Sequence, residues 1–167
     1  NEDTDYPKGK VDETAVGLVV KRLTANNVGK IISILKLFLS YGADFSLKTP
    51  IISVFRNVKG NLGTTIEKEK YQVIEFLIQN GAIVNVTKFD YRLSPLAYAA
   101  RGLYVSIVKL LLDNGAELDN YYTIYNLIRR YEHELYDEKI KEVFNLLINN
   151  DSAIPLLEED DNIDHYL

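Results

Sequence analysis

The sequence predicts an all-α solenoid of four helix–turn–helix repeats with little or no β structure. Three observations carry that expectation. Four apolar helix patterns recur at a steady register: ISILKLFLSYGAD (32–44), QVIEFLIQNGAI (72–83), SIVKLLLDNGAE (106–117) and EVFNLLINNDSA (142–153). Glycine terminates the first three, at Gly42, Gly81 and Gly115, where a left-handed backbone costs glycine little. A shorter helix beginning at Thr or Ser precedes each pattern.

Residues 1–12 are polar and mixed in charge, with Pro7 and Gly9, and read as a frayed lead-in to a repeat domain over 13–153. The repeats are expected at about 13–44, 45–83, 84–118 and 119–153. Counting back from each terminator, the slot eight residues earlier holds Ile34, Val73, Ile107 and Val143. Five back stand Leu37, Phe76, Leu110 and Leu146; four back, Phe38, Leu77, Leu111 and Leu147. The slot six back holds Lys36, Glu75, Lys109 and Asn145, which marks the solvent side. Asp151 replaces glycine in the fourth repeat, a weaker cap suited to a terminal unit. The inner helices are expected to start at Thr14, Thr49, Ser94 and Thr123, each hydroxyl accepting from a free N–H of the first turn. Pro50 and Pro95 follow where a missing N–H does no harm. Spacings between terminators of 39, 34 and 36 imply insertions. The longest is read at Asn57–Lys70, a surface loop signalled by Gly60, Asn61 and Gly63. A long finger is expected near Val84–Leu93, with shorter connections elsewhere. The tail, 154–167, combines Ile154, Leu156 and Leu157, fit to cover the last hairpin, with the acidic run Glu158–Asp161 and Asp164.

Ser94-Pro95-Leu96-Ala97-Tyr98-Ala99-Ala100 resembles the T-P-L-H-x-A-A start of an ankyrin repeat, and Ile107–Leu112 with Asn114-Gly115-Ala116 resembles its second helix and terminator. The resemblance is strongest over 94–119 and extends across roughly 13–153. It departs in lacking the family's histidine, in lacking proline in the first and fourth repeats, and in placing Tyr98 within a small-residue helix. The resemblance implies a non-catalytic protein-interaction module whose partner docks on the concave groove and the finger.

Composition limits the alternatives. The chain has 167 residues, 47% of them hydrophobic, enough for a continuous core. A net charge of −5 argues against binding nucleic acid, which draws on clustered Lys and Arg. No apolar run reaches the length of a membrane span. There are no cysteines, so disulfides and thiolate chemistry are excluded and compartment stays open. A cytoplasmic location is slightly favoured over export with signal removal, and a monomer is expected.

No catalytic constellation emerges, and neither cofactor nor metal is expected. His133, in Tyr131-Glu132-His133-Glu134, and His165 have no second ligand at metal spacing. Asp160–His165 lacks the glycine and distal glutamate of an EF-hand. Lys59–Thr65 places its lysine on the wrong side for a phosphate loop. Two surface groups remain. Seven residues after each inner-helix start stand Lys21, Arg56, Arg101 and Arg130, a basic slot in every repeat of an acidic protein. Helix-dipole complementarity accounts for a cation there at about 0.3–1 kcal/mol; a basic ladder that steers an acidic partner is the functional alternative. The second group is Lys88, Phe89, Asp90, Tyr91 and Leu93 at the finger, with Tyr121, Tyr122 and Tyr131 nearby. The rival functions are a substrate-recognition part of a larger secreted or effector-like protein, and a self-regulated binder whose acidic tail occupies the groove.

Overall fold

The computed structural model describes residues 14–47, 50–56, 64–85, 94–118, 123–124, 127 and 137–149, with 64–66 described by backbone alone. Seven helices occur among these residues, and no strand: α1 (Ala15–Val20), α2 (Val28–Ser40), α3 (Pro50–Phe55), α4 (Thr64–Gln79), α5 (Pro95–Arg101), α6 (Val105–Asp113) and α7 (Glu138–Ile148). They form two layers. The short helices α1, α3 and α5 pack in sequence as the inner layer, and α2, α4, α6 and α7 as the outer one. Each inner helix also packs on its own outer partner, α1 on α2, α3 on α4 and α5 on α6. Thr123, Ile124 and Leu127 are helical, and Leu127 is buried in the same core.

The inner helices are short because capping and turn chemistry bracket them closely. Thr14 Oγ1 accepts from the Gly17 N–H at 3.1 Å, and Ser94 Oγ from the Ala97 N–H at 3.1 Å. Both satisfy a first-turn donor that has no partner inside the helix. At the outer helices, three ends are built alike. Ala43, Ala82 and Ala116 each donate back to Phe38, Leu77 and Leu111 across a glycine at positive φ, 80° at Gly42, 90° at Gly81 and 80° at Gly115. This six-to-one bond around a left-handed residue returns the chain toward the next repeat.

The core sits between the layers. Val16, Val20 and Leu35 join Ile51, Val54, Val73, Ile74 and Leu77, then Leu96, Ala99, Ala100, Ile107, Val108 and Leu111, in one continuous cluster. Alanines on α5 let the layers close at the third repeat. Phe45, fully buried, tilts against Phe76 at 6.5 Å and seals the first two repeats.

Two expectations are corrected. The stretch read as a loop at 57–70 is helical from Thr64 onward, and Lys70 is buried. Glu67-Lys68-Glu69-Lys70 is charged yet made of good helix formers, and with Thr64–Ile66 it extends the outer helix by almost two turns. The eight-back slot is closed at Val73, Ile107 and Val143 but open at Ile34, where no outer helix among the described residues precedes α2.

Candidate partner-binding surface

Three members of the basic series hold one structural position. Lys21 closes α1, where its N–H donates to the Gly17 carbonyl. Arg56 follows α3 and donates to the Ile52 carbonyl at 3.2 Å; Arg101 is the last residue of α5. Because α1, α3 and α5 pack side by side in that order, their C-terminal ends form a row. Lys21 and Arg56 are half-buried and Arg101 is exposed. The row also sits where helix carbonyls converge, so each cation faces partial negative charge. Arg130, Lys88, Phe89, Asp90, Tyr91, Leu93, Tyr122 and Tyr131 lie outside the described residues.

Beside the row is a cluster that the sequence did not announce. Phe55, next to Arg56, stacks on Tyr98 at 5.8 Å with the rings 7° from parallel, and on Tyr104 at 6.1 Å. Lys70, only 5% exposed, reaches from α4 beneath these rings. Its Nζ donates to the Tyr104 hydroxyl at 3.1 Å and lies 4.6 Å from the Tyr104 ring centre and 5.7 Å from that of Phe55. A buried ammonium is costly unless paired; here one hydroxyl and two π faces compensate it. Gly102 makes the arrangement possible, since a Cβ there would stand 2.3 Å from the Tyr104 ring. Tyr98, the large residue within the small-residue helix α5, packs toward α3 by stacking on Phe55. Phe55, Tyr98 and Tyr104 are all half-buried, and Phe55 and Tyr98 stand on α3 and α5, one and three residues before Arg56 and Arg101.

Among the described residues, open grooves lie along the outer layer. One lies between α2 and α4, bordered by Val28, Ile32, Glu75 and Phe76. Another lies between α4 and α6, bordered by Glu67, Lys68, Tyr71, Val105, Ser106 and Lys109. Within the latter, Glu67 Oε1 accepts from the Ser106 N–H at 3.0 Å and from its hydroxyl at 2.7 Å, capping α6 from the repeat before it. Tyr71 donates to Glu75 at 3.3 Å; desolvation first, then the Glu75 charge, raises its phenol above the usual value. Among the described residues no cluster of His, Cys, Asp or Glu could hold a metal, and no helix is long and apolar enough to cross a membrane.

Comparison with known proteins supports the architecture. A family model described as ankyrin repeats (3 copies) matches residues 22–121. A curated protein from Rickettsia felis, named as an ankyrin repeat protein, is 29% identical over 92 residues. That match takes in 53% of this chain but 41% of the relative's own length. No solved structure matches the chain.

Proposed function

Since the chain belongs to the ankyrin-repeat family, whose members are in general protein-interaction scaffolds, we propose that it binds a protein partner with an acidic surface at the inner-helix ends. The observation that supports this most is the row Lys21, Arg56 and Arg101 beside the half-exposed rings of Phe55, Tyr98 and Tyr104. Arg and Tyr side chains with a buried stem and a free edge are the usual anchors of an interface. Basic charge in an otherwise acidic protein also selects a partner of opposite sign and speeds its approach. By sequence register the proposed interface extends to Arg130, in the same slot of the fourth repeat, and to Lys88, Phe89, Asp90, Tyr91, Leu93, Tyr122 and Tyr131 as a second contact group. The chain acts as a monomer in this role and carries out no chemistry of its own.

The test is the double variant Arg56→Glu, Arg101→Glu, compared with the native protein in quantitative capture of binding proteins at low and high salt. Partners enriched by the native protein should be lost from the variant and weakened by salt. Retention of the same partners with unchanged salt dependence rules out the row.

A second reading draws on the greater length of the Rickettsia relative: this region serves as the recognition arm of a larger protein. An antibody to the repeats, applied to native extracts, distinguishes the two by the size of the band.

A further inference from the structure

The outward side of α2 carries Lys30, Ile34, Leu37 and Tyr41 at i, i+4, i+7 and i+11, a single helix stripe. Ile34 is 38% exposed, Leu37 53% and Tyr41 84%. In the other outer helices the slot of Ile34 holds Val73, Ile107 and Val143, all fully buried, and that of Leu37 holds half-buried Phe76, Leu110 and Leu146. Each of those helices has a preceding outer helix packed against it, α2 on α4, α4 on α6 and α6 on α7. The stripe on α2 is the equivalent face, exposed, with no outer helix before it among the described residues.

Charge narrows the occupant. Residues 14–43 contain Lys21, Arg22, Lys30 and Lys36 and no Asp or Glu. A second copy of the same face would set like charges together, which is unfavourable, whereas an acidic helix fits. The chain contains such a segment. Residues 154–167 hold five acidic residues, Glu158, Glu159, Asp160, Asp161 and Asp164, and no Lys or Arg. Leu156, Asp160, Ile163 and Leu167 repeat the spacing i, i+4, i+7, i+11, with Pro155 suited to the first helical turn and acids just behind it.

We propose that residues 155–167 of a second copy dock as a helix along Ile34, Leu37 and Tyr41, joining chains head to tail. The segment cannot serve its own chain in this way. Three helix-to-helix steps separate α7 from α2, roughly 25–30 Å at ordinary packing distances, and the outer face of α2 lies further still. The few residues between Asn149 and Pro155 span only about 20 Å when extended. Each copy then offers one face and one segment, so association grows into chains or closes into a ring. This is independent of the basic row at the inner-helix ends, and it replaces the monomer with an assembly once concentration is high enough.

Sedimentation velocity of the full chain tests it, at concentrations up to about 100 μM, where a micromolar contact is populated. The native protein should associate, and the contact should weaken at high salt. Leu37→Glu and, separately, the double variant Leu156→Glu, Ile163→Glu should each weaken association by at least about tenfold. Mixing those two variants should restore one contact and give a discrete 1:1 dimer that does not grow, because one keeps its segment and the other its face. Circular dichroism confirms that both variants are folded. A native protein that stays monomeric throughout, or a mixture that fails to dimerise, overturns the proposal. So does loss of association in Arg56→Glu, Arg101→Glu, which would put the segment on the basic row instead.

Discussion

Tyr104 meets three demands at once. It precedes the first residue of α6, its ring lies on Phe55, and its hydroxyl accepts from Lys70. The neighbouring Leu103 takes φ 51°, a conformation that non-glycine residues seldom adopt, and this bend swings Tyr104 back over Gly102. Tyr104→Phe keeps the ring and removes the acceptor, leaving a buried ammonium one bond short. The expected loss is about 1–3 kcal/mol in urea unfolding. Gly102→Ala pushes the ring itself aside and should cost about 1–3 kcal/mol by overpacking, with a change in tyrosine near-ultraviolet dichroism that Tyr104→Phe does not produce. Tyr71 supplies a pH signature. Its phenol is raised above 10.0, mostly by desolvation and then by Glu75, so the protonated form is favoured in the folded state. That contribution is complete below the unfolded value and disappears as pH climbs through the folded one. Unfolding titrations above pH 10 should therefore show a steeper loss of stability for the native protein than for Tyr71→Phe.

Among the elements, the second and third repeats are tied by a polar bridge as well as apolar contact. Glu67 caps α6 from α4, and within the third repeat the Asn85 side chain accepts from the Glu117 N–H at 3.0 Å and donates to the Gly115 carbonyl at 2.9 Å. Glu67→Ala removes an N-terminal cap and should destabilise by about 0.5–2 kcal/mol. Because this cap lies between units rather than within one, protection of α6 amides from hydrogen exchange should fall in Glu67→Ala more than protection of α2 amides. The solvent-side pair Lys109–Glu142, at 2.7 Å between α6 and α7 and half-exposed at both ends, contributes little by comparison.

What was legible in the sequence follows from the range of the interaction concerned. Terminators and caps are local, and Gly42, Gly81, Gly115, Thr14 and Ser94 all act as their positions imply. Slot periodicity located Leu77, Leu111 and Leu147, each fully buried. It misplaced Ile34 because burial needs a neighbour, which periodicity within one helix does not report. The Lys70 cluster escaped notice because its members come from positions 55, 70, 98 and 104, brought together only when α3, α4 and α5 stack. The loop reading at 57–70 overran the start of α4 because Gly60, Asn61 and Gly63 mark a turn without marking where it ends, while Glu67–Lys70 are good helix formers.

Across the whole molecule, every packed helix pair described belongs to one repeat or to adjacent repeats. Stability in such a stack approximates a sum of unit and interface contributions, so the ends are weakest. Hydrogen exchange should show α5 and α6 most protected and α1, which among the described inner helices packs on α3 alone, least. Uniform protection across these helices would mean that the stack unfolds as a single block.

The recurrence of one buried slot at Val73, Ile107 and Val143 has an evolutionary consequence. Successive units present interchangeable surfaces, like bricks of one mould, so a duplicated or deleted brick rejoins its neighbours without redesign. A gene carrying the third unit twice should give a longer protein with its walls intact, and drift in copy number is the easiest change this architecture can make.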